Sequence, residues 1–326
     1  MNEDLLNKEK GYIDAPIDGI KDIIGEIKNL CKEKNAVIMA HYYQPDDIQD
    51  IADHIGDSLA LAQMAKNTDA DIILICGVNF MGETAKILCP DKKVLIPDLN
   101  AGCSLAESCP ADKLEEFINA HPGCTVVSYV NTSAEVKALT DICVTSTNAE
   151  KIIRQLPENE KIIFGPDRNL GDYINSSCNR NMILWDGACD VHEKFSLDKI
   201  LQLKNQYPDA EVLAHPECKK HVLLVADYVG STKGIINYVN KSNKKRFLIA
   251  TESGVIHQMR KNNPDKEFIP VPPDDSTCSC NECAFMRLSN LQKIYNALKY
   301  EQPEISIDEE IRKKAEKSII RMLELS

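Results

Sequence analysis

Residues 36–44 read A-V-I-M-A-H-Y-Y-Q: five apolar residues run without a break into a histidine, two tyrosines and a glutamine. A continuous apolar run bounded by polar residues is the mark of a strand buried on both faces, with its reactive side chains gathered at its carboxyl end. Before it, Ile20, Ile23, Ile24, Ile27 and Leu30 recur at helical spacing. Beyond it, a helix is expected over about 46–67, and D-I-I-L-I-C-G-V-N-F at 71–80 repeats the strand pattern. Strands alternating with helices make a parallel α/β sheet covered on both faces.

This opening recurs twice, at C-T-V-V-S-Y-V-N-T-S (124–133) and A-E-V-L-A-H-P-E-C (210–218). The polar exits His41, Asn131 and His215 are 90 and 84 residues apart. A second set of markers follows at a similar interval: Cys103 in A-G-C-S-L-A, Cys189 in D-G-A-C-D-V-H and Cys283 in C-S-C-N-E-C-A-F-M, 86 and 94 residues apart. A period this long predicts a triplicated α/β unit. The expected division is an arm and helix at 1–35, three domains at 36–120, 121–205 and 206–300, and a closing helix at 301–326, part of the C-terminal helices packing near the first domain. The last two helices are placed at about 284–299 and 307–324, separated by Pro303. In parallel sheets ligands bind outside the carboxyl ends of the strands, which makes the polar exits the candidate site.

Composition narrows the function. The chain has 326 residues, 43% apolar and 27% charged, with a net charge of −12. That charge argues against general binding to nucleic acid or to an anionic membrane. No apolar run approaches the roughly 18–20 residues of a membrane span, and the charged opening M-N-E-D-L-L-N-K-E-K is no signal peptide, so a cytoplasmic chain with reduced thiols is expected. Thirteen cysteines is an odd number, which argues against a complete disulfide framework.

Three cysteines in matched positions suggest three thiolates on one metal centre with a coordination position left open, the requirement of a catalytic metal. Soft thiolates suit zinc or an iron–sulfur cluster, with His192 a candidate fourth ligand, and the pattern alone leaves that choice open. Cys280 and Cys283 could also form a redox dithiol. His41 and Tyr43 offer acid–base groups, as do His215 and Glu217, which Pro216 holds in an extended stretch. Ser146 and Thr232 stand where helices begin, and Ser58 sits inside a helical pattern; at a helix start hydroxyls and N–H groups bind carboxylate or phosphate, or merely cap the helix.

The ordered motifs A-H-Y-Y-Q, D-I-A-D-H-I-G-D-S-L, F-M-G-E-T-A-K-I-L, Y-V-N-T-S-A-E-V-K-A, V-T-S-T-N-A, F-G-P-D-R-N-L-G, V-H-E-K-F, H-P-E-C, G-S-T-K-G and C-A-F-M together resemble the quinolinate synthase family, from about residue 36 to the end. The resemblance implies three similar αβα domains with pseudo-threefold symmetry around a central active site, and a [4Fe–4S] cluster on Cys103, Cys189 and Cys283. It implies condensation of iminoaspartate with dihydroxyacetone phosphate to quinolinate, releasing phosphate and two waters, with the iron that lacks a cysteine acting as Lewis acid. Carried over by motif, the substrate-contacting positions are His41, Ser58, Tyr129, Val130, Asn131, Ser146, His215, Pro216, Glu217 and Thr232. Tyr43 and Glu217 are the proton-transfer candidates, with His41 assisting. An L-aspartate oxidase or dehydrogenase is implied as the source of unstable iminoaspartate. The rival readings are another [4Fe–4S]-dependent hydro-lyase and a non-enzymatic thiol or metal sensor.

Overall fold

The computed structural model describes residues 6–7, 10–274 and 282–326. Cys278 and Cys280 lie outside the described residues. Among the described residues, apart from a short antiparallel pair, Leu6–Asn7 with Tyr12–Ile13, all pairing between strands is parallel and falls into three four-stranded sheets. The first is built from Ala36–His41, His54–Gly56, Ile72–Cys76 and Lys93–Leu95. The second uses Thr125–Tyr129, Ile142–Val144, Ile162–Phe164 and Ile183–Leu184. The third uses Glu211–Ala214, Tyr228–Val229, Arg246–Ala250 and Glu267–Pro270. In each sheet the strands, counted in chain order, lie as second, first, third, fourth. Each sheet also occupies a contiguous stretch of the same length, 36–95, 125–184 and 211–270.

A repeated side-chain contact fixes the start of each sheet. The Ile38 N–H donates to Asp53 Oδ2 and the Val126 N–H to Asp141 Oδ2, both at 2.8 Å. The Val212 N–H donates to Asp227 Oδ2, also at 2.8 Å. The backbone N–H of each aspartate returns a bond to the carbonyl of the same partner residue. Each aspartate thereby draws the second strand of its sheet against the first. This is why the expected continuous helix over 46–67 is instead two helices, Asp46–Ile51 and Ser58–Asn67, with the strand His54–Gly56 between them. The helical stretch after Cys103 is likewise divided at Pro110, into Ser104–Glu107 and Ala111–Ala120.

Helices begin where a side chain can satisfy their first N–H groups. Asp57 caps Ser58–Asn67, Asp167 caps Arg168–Cys178, and Ser231 caps Thr232–Lys241. The segment Met1–Cys103 with Ser133–Ala138 and Ala284–Glu316 forms one compact unit; Ser104–Thr132, Leu139–Cys283 and Lys317–Ser326 form a second. In the first unit, helices Ile23–Glu33 and Leu291–Tyr300 cover one face of the first sheet, burying Ile27, Ile294 and Leu298 against Ile38, Ile72 and Leu74. The final helix runs Glu309–Leu325. Among the described residues no helix is long and apolar enough to cross a membrane.

Candidate active site

Measured from the aspartate-anchored residues, the three repeats align side chain by side chain. His41, Tyr129 and His215 each stand three residues beyond the anchored residue, at Ile38, Val126 and Val212. The second sheet's first strand ends at Tyr129, so Tyr129, rather than Asn131, is the counterpart of the two histidines. Asn131 falls two residues further on, level with Tyr43 and Glu217. Ser58, Ser146 and Thr232 each stand five residues after the anchoring aspartate. Cys103, Cys189 and Cys283 each follow the fourth strand of a sheet.

In the first unit, the Tyr43 N–H donates to His41 Nδ1 at 3.2 Å, and the two rings meet edge-on with centroids 4.5 Å apart. In the second unit the equivalent bond runs from the Glu217 N–H to His215 Nδ1, at 3.3 Å. With Nδ1 facing the amide, Nε2 is the nitrogen each ring offers as a donor. His215 Nε2 lies 3.1 Å from Ser146 Oγ. The local sequence produces this geometry: a histidine at a strand's carboxyl end turns its ring back over the amide two residues on.

Glu217 is the hub of the second unit's site and is fully enclosed. Its Oε1 accepts the Tyr129 hydroxyl at 2.6 Å, and its Oε2 lies 3.0 Å from His192 Nδ1. Burial opposes its charge, but His192 and His215 beside it and the bonds from His192 and Tyr129 outweigh burial, holding the carboxyl well below the usual carboxylate range. His192 Nδ1 also lies 3.2 Å from Cys189 Sγ, and Nε2 lies 3.1 Å from Thr251 Oγ1. Cys189, His192 and Glu217 thus bring a sulfur, a nitrogen and an oxygen within 4.8 Å of one another, a group able to hold a metal ion. The D-V-H spacing marked His192 in the sequence as a possible ligand; that it bridges Cys189 and Glu217 depends on tertiary contacts.

Behind this group lies Asp167, also fully buried. Burial, followed by the nearby charge of Glu217, pushes its carboxyl up to about 7. Its signal in the sequence was modest, an aspartate just before a helix in F-G-P-D-R-N-L-G, and it was missed. Glu252, in T-E-S-G, was missed as well. A cavity of about 320 Å³ opens beside Ser146 and Pro216, bounded by Tyr228, Ser231 and Lys233.

The cysteines divide by environment. Burial raises the Cys31 and Cys109 thiols to about 12 and raises those of Cys76, Cys89 and Cys218, holding all five protonated. Cys103, Cys189 and Cys283 are half-buried in loops, as is Cys124. Their sulfurs are the donor type an iron–sulfur cluster takes, and the residues present fit such a group. Cys103 belongs to the first compact unit, Cys189 and Cys283 to the second.

The comparisons with known proteins agree with one another. The family model described as quinolinate synthetase A protein matches residues 25–324. The quinolinate synthase of Rippkaea orientalis is 57% identical over 305 residues, covering 94% of each chain. That of a Cyanothece species is 56% identical over 306 residues, 94% of this chain and 95% of its own. That of Chloroherpeton thalassium is 55% identical over 305 residues, 94% and 95% of the two chains. A family model spanning nearly the whole sequence, and relatives of this identity over nearly their full length, establish that the chain belongs to the quinolinate synthetase A protein family of enzymes.

Proposed function

We propose that this enzyme condenses iminoaspartate with dihydroxyacetone phosphate to form quinolinate, with loss of phosphate and two waters. The observation that carries the reading is the buried group of Tyr129, Glu217, His192 and His215, with the half-buried Ser146 beside it, which places proton acceptors and donors around the carboxyl ends of parallel strands. Glu217, held ionised, is the group to take a proton from a substrate carbon, and the Tyr129 hydroxyl steadies its charge. His215, and His41 in the other unit, present Nε2–H to substrate oxygens. Tyr43 supplies a second proton-transfer group. The Ser58, Ser146 and Thr232 hydroxyls hold substrate carboxylates, and Asn131, Val130 and Pro216 shape the walls. Lys233 beside the cavity at Ser146 supports binding of an anionic end such as a phosphate.

A [4Fe–4S] cluster on Cys103, Cys189 and Cys283, with one iron lacking a cysteine, would supply Lewis acidity toward a departing hydroxyl. This reading carries with it three domains related by pseudo-threefold symmetry around a shared centre, which the common strand order and aspartate anchors support. It also requires an upstream oxidase or dehydrogenase acting on L-aspartate, because an imine of this kind hydrolyses in water.

The test is anaerobic incubation of the iron-loaded enzyme with iminoaspartate generated in place and dihydroxyacetone phosphate, with quinolinate detected by mass. Absence of product from fully loaded protein overturns the reading. A second reading, a single metal ion on Cys189, His192 and Glu217, is favoured by their mutual distances. Metal and sulfide content separate the two: four irons with four sulfides per chain, or one metal without sulfide.

A further inference from the structure

Two buried carboxylates that the reaction does not use sit in equivalent places. Ile163 pairs with Val126, and Leu248 pairs with Val212, the two residues anchored by Asp141 and Asp227. Four residues beyond Ile163 is Asp167; four residues beyond Leu248 is Glu252. Both are almost wholly removed from solvent, Asp167 at 0% and Glu252 at 1% exposure.

Each divides its two oxygens in the same way. Asp167 Oδ1 accepts from the N–H groups of Asn169 at 2.7 Å and Leu170 at 2.9 Å, the start of the following helix. Its Oδ2 accepts from the N–H of Cys189, at 2.9 Å. Glu252 Oε2 accepts from the N–H of Gly254 at 2.7 Å, and its Oε1 from the N–H of Cys283 at 3.2 Å. One oxygen is spent on the turn after the third strand. The other reaches across to the loop after the fourth strand and takes the main chain of a cysteine.

From this we infer that Asp167 and Glu252 are positioning residues for the metal centre, each clamping the backbone of one cysteine to the end of a rigid strand. The inference rests on the reading of Cys189 and Cys283 as cluster ligands. A cysteine on a loop can deliver its sulfur only as accurately as its main chain is held, and the groups that orient metal ligands typically contribute about 10–100-fold in metal affinity. The first sheet builds the corresponding position differently: four residues beyond Leu74 stands Val78, which has no carboxylate. There the Asn79 side chain donates to the Leu99 carbonyl and the Asn79 N–H to the Ala101 carbonyl, ahead of Cys103.

The isosteric amides provide the test. Asp167→Asn and Glu252→Gln each keep one oxygen, enough for the helix or turn N–H groups, but set an NH₂ donor against the cysteine N–H. Asp141→Asn, which alters a carboxylate contact of the same kind that does not reach the main chain of Cys103, Cys189 or Cys283, is the control. Wild type and variants are loaded anaerobically; iron and sulfide content, the rate of iron loss to a chelator, the spectrum of the reduced cluster and the melting temperature of the apoprotein are recorded. Asp167→Asn and Glu252→Gln are expected to lose iron about 10–100-fold faster than wild type, while their apoproteins melt no lower than that of Asp141→Asn. Asp167→Ser, which keeps a capping oxygen but has no second one, is expected to behave as Asp167→Asn. Wild-type retention of iron in both amide variants overturns the inference. So does faster loss matched by an apoprotein melting below the control, which would assign the carboxylates to the fold alone. A wild-type protein that takes up no cluster overturns the cluster reading instead.

Discussion

The Tyr129 hydroxyl donates to Glu217 Oε1 at 2.6 Å across 88 residues of sequence, and both side chains are buried. A bond to an ionised acceptor in such surroundings is about twice as strong as a neutral one. It ties the end of the second sheet's first strand to the turn just past the third sheet's first strand. If the pair acts as one unit on a substrate proton, Tyr129→Phe and Glu217→Gln should each lower turnover by at least about a hundredfold with iron content unchanged. The double variant should be little worse than the slower single variant. Independent, multiplicative losses would show that the two residues act separately.

Tyr43 packs its ring against His41 and donates its main-chain N–H to that imidazole. Tyr43→Phe preserves both contacts and deletes only the phenolic oxygen. Melting temperature and iron content should match wild type while quinolinate formation falls by about a hundredfold or more. A stable, loaded Tyr43→Phe enzyme with undiminished turnover removes Tyr43 from the chemistry.

Alanine at Cys103, Cys189 or Cys283 should abolish cluster incorporation, whereas alanine at Cys31, Cys76 or Cys143 should leave iron near the wild-type level. Iron and sulfide analysis of anaerobically prepared protein reads this directly. Wild-type iron in Cys103→Ala would reject the ligand set.

The three aspartate anchors make the same contact at the same 2.8 Å. Replacing Asp53, Asp141 or Asp227 by alanine removes the acceptor from a strand N–H, and should cost about 1–3 kcal/mol in each case. Urea unfolding of the apoproteins measures it. A loss confined to one of the three would show that the repeats do not depend on a common device.

Glu301 occupies a left-handed position, φ 55°, at the end of helix Leu291–Tyr300. Its carboxylate bonds Lys34 at 2.6 Å and also Lys93. The bonds from Lys34 and then Lys93 lower its pKa on folding. The folded state therefore holds the proton less tightly than the unfolded state, whose carboxyl titrates near about 4.3. The contribution is fully present above that value and is lost as the pH falls through the lower, folded pKa. The stability difference between wild type and Glu301→Gln should be level from pH 8 to 6 and shrink on acidification; because the pair is partly exposed, it should not exceed about 1 kcal/mol. A difference that grows below pH 4 would contradict this sign.

Much of the architecture was legible in the sequence because buried parallel strands are continuous apolar runs. Val37 to Ala40, Ile72 to Cys76 and Phe247 to Ala250 declare themselves. The strand His54–Gly56 did not, because three residues inside a helical pattern carry no periodicity; it exists through the Asp53 contact to Ile38. The same contacts mark an identity the spacing had hidden, an aspartate at 53, 141 and 227 at intervals of 88 and 86 residues. Reading the polar Asn131 as the strand exit displaced the alignment by two residues. Tyr129, the true counterpart of His41 and His215, was named through the family motif alone, because an aromatic within an apolar run does not mark itself as a strand exit. Candidate residues such as Ser58, Ser146 and Thr232 could be named from motifs, but the Tyr129–Glu217 bond and the two carboxylates behind Cys189 and Cys283 depend on side chains meeting across long stretches of chain, which no local pattern encodes.

The cover of the first sheet has a consequence for synthesis on the ribosome. All four of its strands lie between residues 36 and 95, so the sheet can pair early. Helix Leu291–Tyr300, which buries Ile294 and Leu298 on that sheet, is made long after those strands. At roughly 5–20 residues per second, the 195 residues from Leu95 to Asn290 hold one apolar face of the sheet without that helix for about 10–40 s. The first sheet to be made waits for part of its cover, and through that interval an apolar face of the nascent chain stands open to non-native contacts.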